Sequence, residues 1–303
     1  MNCLRSLVSE REMLPHLRVA LVENDSGDAE TLQAELAAAQ WDWVDLIVAP
    51  KNGGFAYGNN LGLVTSSQAT GQPKHVVLLN PDTEVRTGAI FALVEFMNAN
   101  PKVGIAGPRL EEADGNDWNW AFRFPNVLSE LDHGLHFGPV SRLLKNYLVP
   151  MKMGNAPTRV DWLPGAAMIV RREVFDTIGL MDEGYFLYYE ETDFCLAAAR
   201  AGWECWYVPA GRVMHISGHS TGVTGREAKT KRLPKYWFES RRRFFLKNFG
   251  WRYAAAADVA YTLGIALFRT RTFLERRPHP EAANLFSDVL RNSVLVPGNH
   301  RLR

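Results

Sequence analysis

The chain has 303 residues, of which 47% are hydrophobic and 22% charged, and this composition excludes a disordered or fibrous protein. Its 34 basic and 33 acidic side chains give a net charge of +1, so overall charge offers no argument for a nucleic-acid partner. The three cysteines lack metal-type spacing, and the N-terminal stretch lacks the pattern of a secretory signal. We therefore expect one sizeable globular domain with an appendage, or two small domains.

The first third of the chain alternates short apolar runs with helical patterns. Apolar runs at 17–23, 43–49, 75–80 and 103–108 predict strands, and helical patterns follow the first three at 28–40, 56–67 and 87–100. Thr87 stands where the N-cap of the last of these helices is expected. The run at 75–80 does not alternate with polar residues, which indicates a strand buried on both faces. Strands that alternate with helices predict a parallel α/β sheet.

The remaining two thirds are less regular. Residues 111–159 are rich in Trp, Gly, Asn and Pro and are expected to be irregular or weakly helical. Regular structure is expected to resume with a strand at 166–171, a short helix that ends near residue 179, a helix at 190–201 and a strand at 203–209. A further short strand ends near His215, and the chain becomes basic and aromatic after residue 218.

Asp82 follows the buried strand directly, within Asn80-Pro81-Asp82-Thr83. Ligands of open α/β sheets bind beyond the carboxyl ends of the strands, where a carboxylate can reach a metal ion or a phosphate. Pro-Asp is also ordinary turn sequence, and on this segment alone the turn is the favoured interpretation.

Three carboxylates, Glu190, Glu191 and Asp193, begin a predicted helix directly after the aromatic run at 185–189. Acidic residues in a first helical turn complement the helix dipole, so capping is one interpretation. Catalysis is the other, because the dipole is expected to keep at least one carboxylate ionised at neutral pH and able to take a proton from a hydroxyl. The segment alone does not decide between them.

Two further segments could contribute to a site. A neutral imidazole at His215 could bind a metal if it faced the same pocket as Asp82, although a lone histidine is more often structural or exposed. The glycine-rich stretch 52–62 permits close approach of backbone to a ligand at a helix N-terminus. A plain glycine-rich turn would show the same pattern.

The segment 236–268 begins with Arg241, Arg242 and Arg243 among aromatic residues and continues as an apolar stretch that contains Asp258. Basic, aromatic, amphipathic helices of this sort lie on anionic membrane surfaces. Packing on the preceding domain with a solvated basic face is the competing interpretation.

Six segments, taken in chain order, resemble the family 2 glycosyltransferases, in particular their bacterial rhamnosyltransferase-like branch. They are VENDSGD (22–28), NGGFAYGNNLG (52–62), LLNPDTEV (78–85), the stretch 163–196, AGWECWYVP (201–209) and HISGHST (215–221). The resemblance covers roughly residues 1–225 and implies an α/β protein of the GT-A fold, a Rossmann-like, mostly parallel sheet flanked by helices. The first strand of the family is expected to be missing, because residues 1–7 already match the helix that follows it. Residues 226–303 would form a helical, basic and aromatic C-terminal extension.

The resemblance also implies roles for particular residues. Asp82 would be the metal-side carboxylate, in an Asn-Pro-Asp version of the family's D-x-D motif, and His215 would reach the metal or the diphosphate. Glu191, with Glu190 beside it, would be the catalytic base. The remaining implied positions surround the donor and the acceptor. They are Glu23, Asn24, Asn52, Gly54, Asn60, Asn80 and Asp82 on the nucleotide-sugar side, and Asp193, Trp162 and Gly165 on the acceptor side.

The implied activity is transfer of rhamnose or a similar hexose from a nucleoside diphosphate sugar to a hydroxyl of a glycan or lipid-linked acceptor, with inversion and with Mg²⁺ or Mn²⁺. The expected location is the cytoplasm at the inner face of the plasma membrane, with peripheral contact to anionic lipid as an option and no nucleic-acid partner. Two other classes stay open. One is a homologue that binds nucleotide or glycan without turnover, suggested by the missing strand and by Glu in place of Asp at 23 and 191. The other is a membrane-surface interaction protein built on the segment 236–268.

Overall fold

A computed structural model describes residues 1–70, 72–112, 121–215, 231–277 and 281–301. The chain divides into two units, unit 1 with residues 1–121 and 153–216, and unit 2 with residues 122–152 and 217–303. The grouping of 122–152 with the C-terminal helices was not indicated by the sequence. The predicted boundary near residue 225 lies outside the described residues and stays a prediction.

The order of the elements follows the predicted alternation in the first third of the chain. The strands are β1 (Val19–Glu23), β2 (Val44–Val48), β3 (His75–Leu79), β4 (Thr83–Val85), β5 (Val103–Glu111), β6 (Thr158–Val160), β7 (Ala167–Arg171) and β8 (Glu204–His215). The helices are α1 (Asn2–Ser6), α2 (Val8–Met13), α3 (Ala29–Ala39), α4 (Gly54–Thr70), α5 (Ala89–Ala99), α6 (Val127–Leu135), α7 (Gly138–Leu143), α8 (Arg172–Ile178), α9 (Glu190–Arg200), α10 (Lys235–Leu274) and α11 (Leu285–Asn292).

The strands of unit 1 form two sheets. β1 and β2 pair in parallel. The other sheet has the order β3-β7-β5-β8-β4, with β6 on β8. In it β5 and β8 are parallel, whereas β7 is antiparallel to β3 and β5, and β4 and β6 are antiparallel to β8. The prediction of a mostly parallel sheet is therefore wrong for this larger sheet, because an uninterrupted apolar run indicates burial on both faces but not the direction of the strand.

No ladder joins β1 to β3 within the part of the chain that the structure describes. Two short helices, α1 and α2, precede β1, and α1 packs against β4. Ser6 Oγ accepts the Val85 N–H at 2.9 Å, and Cys3 Sγ lies 3.5 Å from Thr83 Oγ1. The helix α1 thereby supports the strand that follows Asp82.

The core of the larger sheet lies on its inner strands and α5. Ile105, Met168 and Ile169 are fully buried, and Leu93 and Met97 of α5 pack with this layer. This burial of apolar side chains is the main stabilising contribution to the sheet.

The N-terminus of α5 is capped differently from the prediction. Thr87 does not cap it, since the N-cap is Gly88, which makes no side-chain hydrogen bond. The buried carboxylate of Glu10 in α2 instead accepts the N–H groups of Ala89 at 3.0 Å and Phe91 at 3.1 Å. A carboxylate there satisfies two otherwise free donors and complements the helix dipole, and it comes from a residue far away in sequence.

Unit 2 is built on a close crossing of α6 and α10. A Cβ atom added to Gly134 would lie 2.5 Å from the Tyr261 carbonyl oxygen, and one added to Gly264 would lie 2.5 Å from the Leu131 carbonyl oxygen. Backbone therefore meets backbone at this crossing, which only glycine permits. The helix α10 itself is interrupted at Gly250, where φ is +78°. None of the described helices combines the length and the apolar character needed to cross a bilayer.

The arginines at the start of α10 are not all on the surface. Arg241 is buried between two buried carboxylates, with Nη2 2.7 Å from Glu130 Oε2 and Nη1 2.5 Å from Asp258 Oδ1. Asp258 Oδ2 accepts Ser293 Oγ at 2.7 Å and Val294 N at 2.8 Å. The expectation of a solvated or lipid-facing basic surface is wrong for Arg241, since a buried guanidinium needs partners of this kind.

We predict that Gly264→Ala destabilises unit 2. The added methyl group meets the backbone of α6, which cannot move aside without separating the helices, so we expect a loss of about 1–3 kcal/mol in the free energy of unfolding. Thermal melting of the whole chain should show a transition lowered by several degrees. Gly138→Ala in α7 is the control, because nothing lies within 4 Å of its added Cβ atom. Equal melting of the two variants would contradict the close crossing.

Candidate active site

Asp82 lies in the turn between β3 and β4. The Thr83 N–H and Oγ1 donate to the Asn80 carbonyl oxygen at 3.3 and 2.7 Å, which closes the turn. Antiparallel pairing of β4 with β8 sets Thr83 opposite His215. This register brings Asp82 Oδ1 to 3.3 Å from His215 Nε2. The turn interpretation is thus correct, and the turn is also what directs the carboxylate toward the histidine.

Asp82 and His215 offer part of a metal shell. Asp82 Oδ1 is buried and accepts no hydrogen bond from the described residues, which is costly for a carboxylate unless a cation compensates. One oxygen and one nitrogen donor fit a divalent cation that takes its other ligands from phosphate oxygens and water. The described residues contain no cluster of three or more His, Cys, Asp or Glu for a cation. Asp82 and His215 could thus supply two of the ligands of a divalent cation.

Glu190 and Glu191 begin α9 with buried carboxyl groups. Burial raises the pKa of Glu190 well above its usual value, and the charge of Glu191 adds to the rise. Burial also raises the pKa of Glu191, although backbone hydrogen bonds from Glu191, Gly165 and Thr192 partly oppose it. Both pKa values thus shift in the direction opposite to the one expected from the helix dipole, because the loss of hydration outweighs the effect of the dipole here. One oxygen of each carboxyl, Oε2, accepts no hydrogen bond from the described residues.

The turn before α9 has an unusual backbone. Tyr188 and Tyr189 both have positive φ, +70° and +69°. Bulky residues in the left-handed region cost free energy, and such strain is concentrated at functional sites. Below the turn, the fully buried Tyr185 donates from its hydroxyl to Asp193 Oδ1 at 3.2 Å. Asp193, predicted on the acceptor side, is thus buried and holds the aromatic turn in place.

The glycine-rich stretch contacts the loop that leads to α9. Gly54 has a φ of +85°, and a Cβ atom added to it would collide with the Phe186 carbonyl oxygen. That same oxygen accepts the Phe55 N–H at 3.1 Å. A Cβ atom added to Gly165 would lie 2.7 Å from the Phe55 ring. Because Gly165 also donates to Glu191, these contacts, which we call the glycine clasp, connect the glycine-rich stretch to the catalytic-base candidate.

Glu23 and Asn24, predicted to contact the nucleoside, both support loops. Glu23 Oε1 accepts hydrogen bonds from the N–H and, at 2.6 Å, the Oγ of Ser26, and from Gly27 N at 3.1 Å. The Ser26 hydrogen bonds lower the pKa of Glu23. Asn24 Nδ2 donates to the Gly54 carbonyl oxygen at 3.0 Å. These residues shape the end of β1, and any contact with a nucleoside stays a prediction.

Asn52 and Asn60 also hydrogen-bond within the protein. Asn52 Oδ1 accepts the Gly54 N–H at 3.1 Å. The buried Asn60 donates to the Met181 carbonyl oxygen at 2.8 Å and accepts the Met181 N–H at 3.1 Å. Its amide is therefore occupied in holding α4 to the loop before α9.

Sequence reasoning missed the two aromatic residues of the glycine clasp, Phe55 and Phe186. The glycines beside them were the feature that could have indicated these residues. Gly54 precedes Phe55 in the chain, and Gly165 packs against the Phe55 ring. Trp162 is half-buried and lies three residues before Gly165, and its contact with an acceptor stays a prediction. The structure thus brings Asp82 together with His215, and the predicted acceptor-side glycine together with Glu191.

Comparisons with known proteins identify the family to which the chain belongs. Residues 1–232 match the family model described as glycosyltransferase like family 2. The chain belongs to this family. The N-acetylglucosaminyl-diphospho-decaprenol L-rhamnosyltransferase of Mycobacterium tuberculosis is 30% identical over 225 residues, which are 72% of this chain and 71% of that one. Rhamnosyltransferase WbbL of Escherichia coli K12 is 26% identical over 170 residues, 55% of this chain and 62% of the relative.

The fold has a solved counterpart. The crystal structure of GalNAc-T7 with UDP, GalNAc and Mn²⁺ superposes with a TM-score of 0.57 and 14% identity, over 95% of this chain and 52% of that one. This chain therefore spans about half the length of that structure, and the likeness concerns the fold alone. The GT-A fold, the resemblance to rhamnosyltransferases and the assignment as a glycosyltransferase are confirmed.

We predict that Gly54→Ala disrupts the glycine clasp, and that the matched variant Gly27→Ala does not. Both glycines have similar positive φ, +85° and +89°, so both substitutions carry the same backbone strain of about 1–2 kcal/mol. Only the methyl group at Gly54 meets backbone, which adds about 1–3 kcal/mol, whereas nothing lies within 4 Å at Gly27. Chemical denaturation should give a lower free energy of unfolding for the Gly54→Ala variant than for the Gly27→Ala variant. Equal free energies of unfolding would contradict the contact with Phe186.

Proposed function

We propose that this glycosyltransferase moves rhamnose or a similar hexose from a nucleoside diphosphate sugar to a hydroxyl of a lipid-linked or glycan acceptor, with inversion at the anomeric carbon. The observation that carries the proposal is the 3.3 Å approach of Asp82 to His215 at the ends of β3 and β8. A hard, cation-binding pair at this edge of the sheet is suited to a diphosphate leaving group.

Glu191 is the proposed base. It takes the proton of the acceptor hydroxyl while that oxygen attacks the anomeric carbon and the bond from this carbon to the diphosphate breaks. The hydrogen bond from Gly165 fixes the orientation of its carboxylate, and the glycine clasp holds Gly165 near the glycine-rich stretch. Burial and the charge of Glu191 both raise the pKa of Glu190, and we propose that the pair carries one negative charge, which the base bears.

Asp82 and His215 are the proposed metal-side residues. A bound Mg²⁺ or Mn²⁺ would neutralise the charge that grows on the departing diphosphate. The buried Oδ1 of Asp82, which accepts no hydrogen bond from the described residues, supports this assignment, as does the register that holds His215 opposite Thr83. The diphosphate leaves without protonation, so the site needs no general acid.

The proposed substrates follow from the relatives. Two relatives are named rhamnosyltransferases, and the name of one states a lipid-linked acceptor, N-acetylglucosaminyl-diphospho-decaprenol. We propose the same classes here, rhamnose as the sugar and a prenyl diphosphate-linked saccharide as the acceptor. Such an acceptor lies in a membrane, so we propose that the enzyme acts at the cytoplasmic surface of a bilayer.

A homologue that binds nucleotide without turnover is the second candidate. It is favoured by the absence, among the described residues, of strand pairing between β1 and β3, and by Glu23, whose Oε1 accepts hydrogen bonds from the turn at 26–27. A binding protein would retain sugar nucleotide but release no diphosphate. The next experiment separates the two candidates.

We predict metal-dependent release of nucleoside diphosphate from one member of a panel of rhamnose donors that carry thymidine, uridine or guanosine diphosphate. The acceptor is an N-acetylglucosaminyl diphosphate with a short, soluble prenyl chain. Asp82→Asn and His215→Ala should each lower turnover at least a hundredfold and weaken the response to Mn²⁺, because they remove the proposed donor atoms. His300→Ala, distant in the chain and in unit 2, is the control. Donor binding without release, unchanged by Asp82→Asn, would identify the second candidate.

We predict that Glu191→Gln lowers kcat at least a hundredfold, since the amide cannot take a proton. In the wild type, kcat/KM should fall as the pH drops through the raised pKa of Glu191, because only the ionised carboxylate acts as a base. The midpoint should therefore lie above the usual range of a glutamate. Glu173→Gln, an exposed residue of α8, should leave the profile unchanged. A midpoint at the usual value of an exposed glutamate would contradict the assignment.

A further inference from the structure

The second half of α10 is apolar on two opposite sides. Its inner side is buried within unit 2 and includes Tyr261, Ile265 and Phe268. Its outer side is exposed, with Leu263 at 49%, Phe273 at 82% and Leu274 at 74%. Apolar residues that line a helix on both sides normally indicate that both sides are covered in the working protein.

The exposed residues lie along one line of the helix. Residues four or three apart share a face, and this spacing connects the whole outer set. The set, which we call the outer stripe, is Ala256, Val259, Leu263, Leu267, Thr270, Phe273 and Leu274. At the rise of an α-helix the stripe is about 27 Å long.

Positive charge stands at both ends of the outer stripe. Arg252 precedes it, and the exposed Glu275, Arg276 and Arg277 follow it, with Arg277 Nη1 3.5 Å from Glu275 Oε2, so this end keeps a net positive charge. Between Arg252 and Leu274 the sequence contains one acid, Asp258, which is buried against Arg241. An apolar stripe with a net positive charge at each end and no exposed acid between residues 256 and 274 matches an anionic bilayer surface, where arginines meet the headgroups and leucines enter the acyl boundary.

We propose that the outer stripe of α10 is the surface by which this enzyme docks on an anionic phospholipid bilayer. The inference rests on the proposed lipid-linked acceptor, which requires the enzyme to work at a membrane. A second copy of the chain fits the stripe less well. One helix of this length presents roughly 300 Å², against about 800 Å² per partner in a stable dimer.

Cosedimentation of the full chain with vesicles tests the proposal. The vesicles are phosphatidylcholine alone, or phosphatidylcholine with phosphatidylglycerol. Leu263→Gln/Leu267→Gln should weaken binding to the anionic vesicles at least tenfold, since two half-exposed leucines can no longer enter the lipid. The matched control is Val64→Gln/Leu180→Gln, which changes two similarly exposed apolar residues of unit 1.

A second pair of variants tests the charged ends. Arg252→Gln/Arg276→Gln should lower binding to the anionic vesicles about tenfold or more, leave the weak binding to neutral vesicles unchanged and reduce the effect of added salt. Binding that is equal for the wild type and the leucine variant would overturn the proposal. So would a dimer in light scattering without lipid that the leucine variant loses, because the stripe would then bind a second copy.

The result for vesicle binding can be distinguished from the result for the proposed function. Turnover of the soluble, short-chain acceptor does not need a bilayer, so the leucine variant should retain it if both proposals hold. Failure of the proposed function would abolish turnover in the wild type and leave the difference in vesicle binding intact. Failure of the docking proposal would leave turnover intact and remove that difference.

Discussion

Hydrogen bonding of β8 to its neighbours determines where the chemical groups of the site lie. This strand pairs with β5 in parallel and with β4 and β6 in antiparallel fashion, so its position is fixed from both edges. Its last residue, His215, meets the turn after β3 only because β4 keeps register with it. A shift of one residue in a strand moves each side chain to the opposite face of the sheet, which would separate His215 from Asp82. The arrangement therefore depends on backbone pairing more than on any contact between the two side chains.

The glycine clasp gives the site its second constraint. Without a Cβ atom at Gly54, the start of α4 reaches the backbone of Phe186, and the Phe55 ring reaches Gly165. The left-handed turn at Tyr188 and Tyr189 then starts α9 with Glu190 buried and with Oε2 of Glu191 shielded from solvent. A polar group that is buried in this way has fewer accessible orientations and a raised pKa, and both properties suit a residue that accepts a proton.

Many features of the fold and the site could be predicted because they depend on residues close together in the sequence. Uninterrupted apolar runs predicted β3 and β7, and the order of short segments predicted the family. The remainder depends on residues far apart in the chain. Glu10 caps a helix that starts 79 residues later, and Arg241 is paired with a carboxylate 111 residues earlier. Neither interaction leaves a periodic pattern, so Thr87 was the plausible cap and Arg241 a plausible surface residue. Strand direction likewise depends on where a connection returns to the sheet, which composition does not encode.

The pairing of Arg241 with Glu130 also has a consequence for biogenesis. Unit 2 is assembled from two segments, and the whole second part of unit 1 is synthesised between them. When α6 leaves the ribosome, its buried carboxylate has no counter-charge and its glycine has no helix to meet. Only after α10 emerges can the ion pair and the crossing form, so unit 2 is expected to fold last. A nascent chain that stalls before α10 would expose α6 to chaperones and proteases, so quality control of such a chain would act mainly on this helix.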